Sequence, residues 1–178
     1  RKNPENTPRP VFPVPSERQM KWNETEFYAF FHYGMNTYTN LEWGNGDEKE
    51  TIFAPTKVPN PEQWLTAAKA AGMQGGIAVI KHHDGFCLWP TETTKHNVTS
   101  SPNPNAKQTN IPRDFSAAAK KLNMKYGFYI SPWDRNSAYW GEKDKDGNYT
   151  STYTNEVFFK QCAEVAKYGA DQFEMWFD

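Results

Sequence analysis

GGIAVIKHHDGFCLW, residues 75–89, opens as a continuous apolar run and closes on a lysine, two adjacent histidines, a carboxylate, a glycine and two aromatics. Gly75–Lys81, a short apolar run opened by glycines, reads as a fully buried strand. A core does not need so much polar chemistry at its edge. The strand is therefore expected to deliver Lys81, His82, His83 and Asp84 to a site. The pattern recurs along the chain. Glu26–Gly34, EFYAFFHYG, reads as a buried, aromatic-rich strand that ends at His32. Lys125–Ser131, KYGFYIS, reads as a strand followed by Trp133, Asp134 and Arg135. Gln172–Asp178, QFEMWFD, reads as a strand that ends on Trp176 and Asp178.

Helices are expected between these strands. Residues 61–71, PEQWLTAAKAA, carry Pro61 in the first turn, Asn60 as the cap and Gly72 as the stop. Asp114 is placed to cap FSAAAKKL. A third helix is expected over 155–168, ended by Gly169. Strands alternating with helices at this spacing imply βαβ units and a parallel sheet. The connections are lopsided. Strand-to-helix segments are long and polar, whereas helix-to-strand links (AGMQG, NM, GAD) are tight. One end of the sheet thus carries the variable material, which in a (β/α)8 barrel is the active face. A doubly wound sheet follows a related rule. However, FHYGMNTYTN after the first strand lacks the G-x-G-x-x-G spacing of a nucleotide loop. A barrel takes about 250 residues, and four strands are half of one. The expected fold is α/β: the N-terminal half of a (β/α)8 TIM-like barrel over residues 21–178, behind a Pro-rich arm over 1–20. The rest of the barrel is expected in the same or a separate chain, because a half-barrel leaves two open sheet edges.

Composition narrows the function classes. A net charge of −1 over 178 residues suits one globular domain and gives no basic excess for nucleic acid. No apolar stretch is long enough to span a bilayer. Seven tryptophans, nine tyrosines and twelve phenylalanines suit a packed core, and also a carbohydrate site, where flat rings cover sugar C–H faces. Cys87 and Cys162 match no metal or redox spacing and are expected as free thiols. Asn23, Asn97 and Asn148 open glycosylation sequons.

Candidate site residues follow from strand geometry. Side chains alternate faces, so Glu174, Trp176 and Asp178 point the same way. Asp178 is placed to act as a nucleophile or general base, or else to cap a following helix. Adjacent residues of a regular strand point to opposite faces, so His82 and His83 could share one ligand only if the backbone turns there. Zinc sites more often use His-x-His or His-x-x-x-His spacing. Two imidazoles, each with one donor and one acceptor, suit a polyol better; satisfied core histidines are the third reading. Glu42-Trp43 in the first long loop pairs a carboxylate with an aromatic platform.

Taken together, FHYG, LEWGNG, KHHDGFCLWPT, YISPWDR and EMWFD resemble the α-L-fucosidases of glycoside hydrolase family 29, in order and spacing, over nearly all of the chain after the arm. LEWGNG and SPWDR look like the branch that prefers α-1,3- and α-1,4-linked fucose. The resemblance implies a retaining exo-glycosidase that acts on fucosylated oligosaccharides or glycoconjugates through a covalent fucosyl-enzyme intermediate, with no cofactor and no metal. It implies Asp178 as the nucleophile and a fucose pocket lined by His32, Glu42, Trp43, His82, His83, Tyr129 and Trp176. It further implies an acid/base carboxyl from beyond the fourth strand, so that these residues alone would turn over little. The protein would then be secreted, periplasmic or lysosomal in type. A non-catalytic fucose-binding barrel and a metal-dependent barrel hydrolase are the rival readings.

Overall fold

The computed structural model describes residues 8–9, 11–169 and 171–178; the expected Pro-rich arm and the GAD link lie partly outside them. Four strands form one parallel sheet in the order β1 (Tyr28–Phe31), β2 (Gly75–Lys81), β3 (Lys125–Ile130) and β4 (Glu174–Trp176). Strands adjacent in sequence are adjacent in space, as in consecutive units of a (β/α)8 barrel. The fold is thus α/β with a partial barrel.

The three longest helices cover one face of the sheet. α1 (Glu17–Asn23) opens on a capping box in which Ser16 and Gln19 each hold the other's backbone N–H. It crosses the 20/21 boundary expected between arm and barrel. α2 (Met35–Thr39) forms inside the long polar segment that follows β1. α3 (Pro61–Ala70) starts where Asn60 accepts from the Gln63 N–H, as its sequence predicts. α4 (Pro104–Gln108) precedes α5 (Ile111–Leu122). The cap of α5 is Asn110, not Asp114. Asn110 accepts from the Arg113 N–H with Pro112 in the first turn, while Asp114 lies inside the helix and takes two hydrogen bonds from the Arg113 guanidinium. The third expected helix begins with one π-helical turn, Thr154–Phe158, and continues as α6 (Phe159–Ala166).

Alternation along the strands divides the sheet into two faces. On the helix side, Ala78, Ile80, Tyr126, Phe128 and Ile130 pack with Leu65 and Ala68 of α3, Phe115 and Ala119 of α5 and Val165 of α6 in the main core. The opposite, concave face carries a smaller cluster: Ile77, Val79 and Tyr129, flanked by Tyr28, Phe173 and Trp176. β1 was expected to be buried. It is instead half-exposed, with Phe30 46% accessible, because among the described residues it pairs only with β2.

The long strand-to-helix loops all gather at the C-terminal ends of the strands and hold one another. Ser131 N–H donates to Lys81 O and Arg135 N–H to His83 O. The Arg135 guanidinium reaches Gly44 O at 2.7 Å, and the Asn136 amide reaches Gly46 O at 2.7 Å. Both cysteines are free thiols. Asn97 is buried, and its amide donates to Thr91 O and Thr94 O, so this sequon is not open to modification in the folded chain. None of the described helices is long and apolar enough to cross a membrane.

Candidate functional site

The KHHD run is divided between two places by a bulge. Val79 pairs with Tyr129, and the next partner pair is Lys81 with Ile130, so β2 carries one extra residue. Ile80 and Lys81 therefore both face the helix side. The Lys81 ammonium, on a residue 1% exposed, donates to Asp134 (3.0 Å), Tyr153 (2.8 Å) and Gln161 (2.9 Å). Lys81, Asp84 and Asp134 were expected at the lip; all three are buried. Asp84 accepts from the Phe86 N–H, and burial pushes its carboxyl up to about 6.

Beyond the bulge the backbone turns. Gly85 N–H closes on His82 O at 3.1 Å, and Gly85 sits at φ +82. A side chain there would be strained, and its Cβ would also run into the Asp134 carboxylate. This turn removes the strand-alternation objection. His82 and His83 lie with their ring centroids 4.2 Å apart, and His32 from the end of β1 lies 4.6 Å from His82. Tyr129 of β3 stacks on His82 at 5.6 Å. Its phenol donates to Asp178 Oδ2 at 2.8 Å, and His83 Nε2 lies 3.7 Å from the same oxygen. Asp178, two residues past β4, thus closes a row of imidazoles on the concave side.

Burial, with His83 and His32 alongside, pushes His82 down to about 4, and Asp178 opposes this only in part. His83 is lowered as well, first by burial. Both rings are neutral near pH 7. The His83–Asp178 contact is then a dipole beside a carboxylate, not an ion pair. Burial and the hydrogen bond to Asp178 push the Tyr129 phenol up, so it remains a donor.

The rim is aromatic. Trp43 is 51% exposed and lies 6.2 Å from His83 and 5.7 Å from Trp133, measured between ring centroids. Trp133 lies 4.9 Å from His83 and carries the Arg135 guanidinium 5.4 Å above its ring. Trp176 lies deeper, edge-on to Phe30 at 5.0 Å. Glu42 is exposed on the first loop. Of the expected residues, His32, His82, His83, Tyr129, Trp43 and Asp178 form one connected group. Trp176 supports it from below, and Glu42 stands beside it.

Two residues were missed. Asn36 donates from its amide nitrogen to Leu41 O (2.8 Å) and Glu42 O (2.9 Å), which turns its oxygen to His32 Nε2 at 3.1 Å. It thereby couples His32 to the Glu42-Trp43 loop, and its position one helical turn after His32 was the available signal. Ser131 lies 2.6 Å from His83 Nδ1 and had been noted only as a polar strand end. Among the described residues no three His, Cys, Asp or Glu side chains converge on a common metal position. The arrangement offers neutral imidazoles, a phenol, indoles and one carboxylate, which suits a neutral polyhydroxylated ligand.

Known proteins carry related sequences and folds. A family model described as Alpha-L-fucosidase matches residues 13–178. Alpha-L-fucosidase 1 of Arabidopsis thaliana is 39% identical over 172 residues, which is 96% of this chain and 32% of that protein. The chain spans about a third of the length of the curated relatives it matches most extensively. A glycoside hydrolase 29 family member from a rumen bacterium superimposes with a TM-score of 0.82 at 40% identity, over 93% of this chain and 28% of that one. A Ruminococcus gnavus GH29 fucosidase, solved in complex with fucose, gives 0.75 at 35% identity, over 93% and 35%. The matched span covers nearly the whole sequence, and the chain belongs to the α-L-fucosidase family, glycoside hydrolase family 29.

Proposed function

We propose that this chain carries the nucleophile and most of the sugar pocket of a retaining exo-α-L-fucosidase. The observation that supports this best is the setting of Asp178. Its carboxylate is side-on to a row of neutral imidazoles, accepts one hydrogen bond from Tyr129 and keeps its side chain 57% exposed at the open face. A carboxylate held but not neutralised is what attack on an anomeric carbon requires. Asp178 forms the fucosyl ester as the aglycone leaves. A second carboxyl group, about 5–5.5 Å away, protonates the leaving oxygen and then takes a proton from the incoming water. Nearby carboxyls are poor candidates for that role: Asp84 and Asp134 are sealed in the fold, and Glu42 matches a binding position. The family resemblance implies an acid/base beyond the fourth strand, outside these residues, and on that reading the 178 residues alone turn over little.

His32, His82 and His83 hold sugar hydroxyls, with Glu42 beside them. Such partners reject analogues that lack those hydroxyls. Trp43 and Trp176 cover the apolar methyl side of fucose. The LEWGNG and SPWDR segments support a preference for α-1,3- and α-1,4-linked fucose on branched glycans, and substrates of that kind place the protein in a secreted, periplasmic or lysosomal setting. The deciding experiment assays the protein that carries this chain on an aryl α-L-fucoside, with Asp178→Asn alongside. Lost turnover with retained fucose binding supports the enzyme reading. Unchanged turnover refutes it, absence of turnover in both with intact binding indicates a lectin-like barrel, and loss of activity to a chelator indicates a metal-dependent hydrolase.

A further inference from the structure

Ser131 has two hydrogen-bond contacts, and their geometry determines which nitrogen of His83 carries the proton. Its hydroxyl oxygen lies 2.8 Å from the carbonyl oxygen of Trp133 and 2.6 Å from His83 Nδ1. A carbonyl can only accept, so the single hydroxyl proton of Ser131 goes to Trp133 O. The serine oxygen then accepts, and Nδ1 of His83 must donate. The opposite arrangement, with Ser131 donating to Nδ1, forms one bond and leaves two oxygens facing each other at 2.8 Å. It would also place the His83 proton on Nε2, whose distance of 3.7 Å from Asp178 is beyond hydrogen-bond range. The chosen arrangement makes two bonds against one. The neighbouring Tyr129 hydroxyl does not change this, because it donates to Asp178. A Ser131 proton turned toward Tyr129 would equally require Nδ1 to donate.

We infer that Ser131 is a positioning residue that locks His83 in the Nδ1–H tautomer, so that Nε2 presents a lone pair to the open side of the site next to Asp178. Ser131 is fully buried and His83 is 7% exposed, so water does not compete freely for these atoms. The charged and titratable groups facing the ring are Asp178 from the end of β4, His32 from the end of β1, His82 on the same turn and Arg135 from the loop after β3. Burial above all, then His32 and Arg135, disfavours the imidazolium, and Asp178 favours it; the net direction is downward. For a ligand the consequence is specific. A group seated between His83 and Asp178 meets two acceptors and must be a donor, a hydroxyl or an amine. A group that can only accept makes no hydrogen bond at that position. The statement about ligands rests on the fucosidase reading; the tautomer does not.

The test reads the imidazole nitrogens directly in two-bond proton–nitrogen spectra of the 15N-labelled protein that carries this chain, with the His83 signals assigned by their loss in His83→Asn. Near neutral pH, His83 Nδ1 is expected to show the pyrrole-type shift and Nε2 the pyridine-type shift. Ser131→Ala is expected to move Nε2 toward the pyrrole-type position as the tautomers mix, and Ser131→Thr, which keeps the hydroxyl, to restore the wild-type pattern. A pyridine-type Nδ1 in wild type, two pyrrole-type nitrogens, or an unchanged spectrum in Ser131→Ala overturns the inference. Should Ser131→Ala not fold, the wild-type and Ser131→Thr spectra decide. No turnover is needed, so a confirmed tautomer alongside absent fucose binding would retire the fucosidase reading and leave the lock standing.

Discussion

Two polar clusters stand on opposite faces of the same four strands, and consecutive residues of one motif feed both. On the helix side, Lys81, Asp134, Tyr153 and Gln161 are sealed, each 6% exposed or less, and the lysine ammonium donates three hydrogen bonds within the cluster. On the concave side, His32, His82, His83 and Asp178 form a row open at one end. The first cluster resembles a buried ion pair in a core and the second a site awaiting hydroxyls. One bulged residue in β2 separates them. The comparison shows that a polar residue at a strand end is not by itself a site residue. What distinguishes the two groups is whether its hydrogen-bonding capacity is already satisfied.

That distinction can be broken by substitution. The largest effect on activity is expected at Asp178, where Asn should lower turnover of an aryl fucoside by at least about 10⁴-fold while denaturant unfolding shifts by under about 0.5 kcal/mol, as for an exposed position. The largest effect on stability is expected at Lys81. Met there leaves Asp134 buried without its partner and should cost about 3–5 kcal/mol. Adding Asp134→Asn should recover a good part of that loss in the same denaturation measurement. If Lys81→Met is instead stable but inactive, the two clusters are functionally one. Tyr129→Phe should come next. It removes a hydrogen bond to a charged group, should lower turnover by roughly 10–100-fold and should cost at most about 1.5–3 kcal/mol of fold stability.

The smallest effect is in pH. His82 is neutral in the fold down to about 4 but takes a proton near 6.5 when unfolded. Between those values the unfolded state binds more protons, so this stability is complete above about 6.5 and is lost as pH falls toward 4. Asp84 opposes it. Its folded value is about 6 against 3.8 unfolded, so the folded state binds more protons in that window and stability falls as pH rises through it. The two contributions therefore oppose each other between about 4 and 6, while His83 and Glu50, both lowered, add to the loss in acid. Relative to wild type, Asp84→Asn, which keeps an acceptor for the Phe86 N–H, should steepen the acid loss, and His82→Asn should flatten it. Parallel curves for all three proteins would rule out these assignments.

Much of the architecture could be read from periodicity and punctuation. β2 and α3 match their expected limits to within a residue, and β3 is one residue shorter, because apolar runs and Asn-Pro starts are local signals. The start of α5 was misread because Asp114 looks like a cap until Asn110 and Pro112 are considered together. The capping box of α1, Ser16 to Gln19, was legible but lay behind the prolines. The strand ends pointed to His32, His82, His83 and Asp178, and the family resemblance added Tyr129; the structure brings these five side chains together. Strand alternation alone could not show that Lys81 turns away, because the bulge depends on pairing with Ile130. Nor could it show that His82 and His83 share a side, which depends on the turn at Gly85. Asn36 and Ser131 escaped notice because they act through hydrogen bonds to residues distant in sequence or to backbone carbonyls.

The most direct measurement is covalent. A 2-deoxy-2-fluoro fucosyl donor with an activated leaving group forms the glycosyl ester without acid assistance and hydrolyses slowly, so the nucleophile stays labelled. After reaction and proteolysis, peptide mass analysis of the protein that carries this chain should find the fluorofucosyl mass on Asp178 alone. It should be absent in Asp178→Asn and unaffected by Asp134→Asn. A label on another carboxylate, or none while the fucoside is still being hydrolysed, would contradict the assignment of Asp178 as the nucleophile.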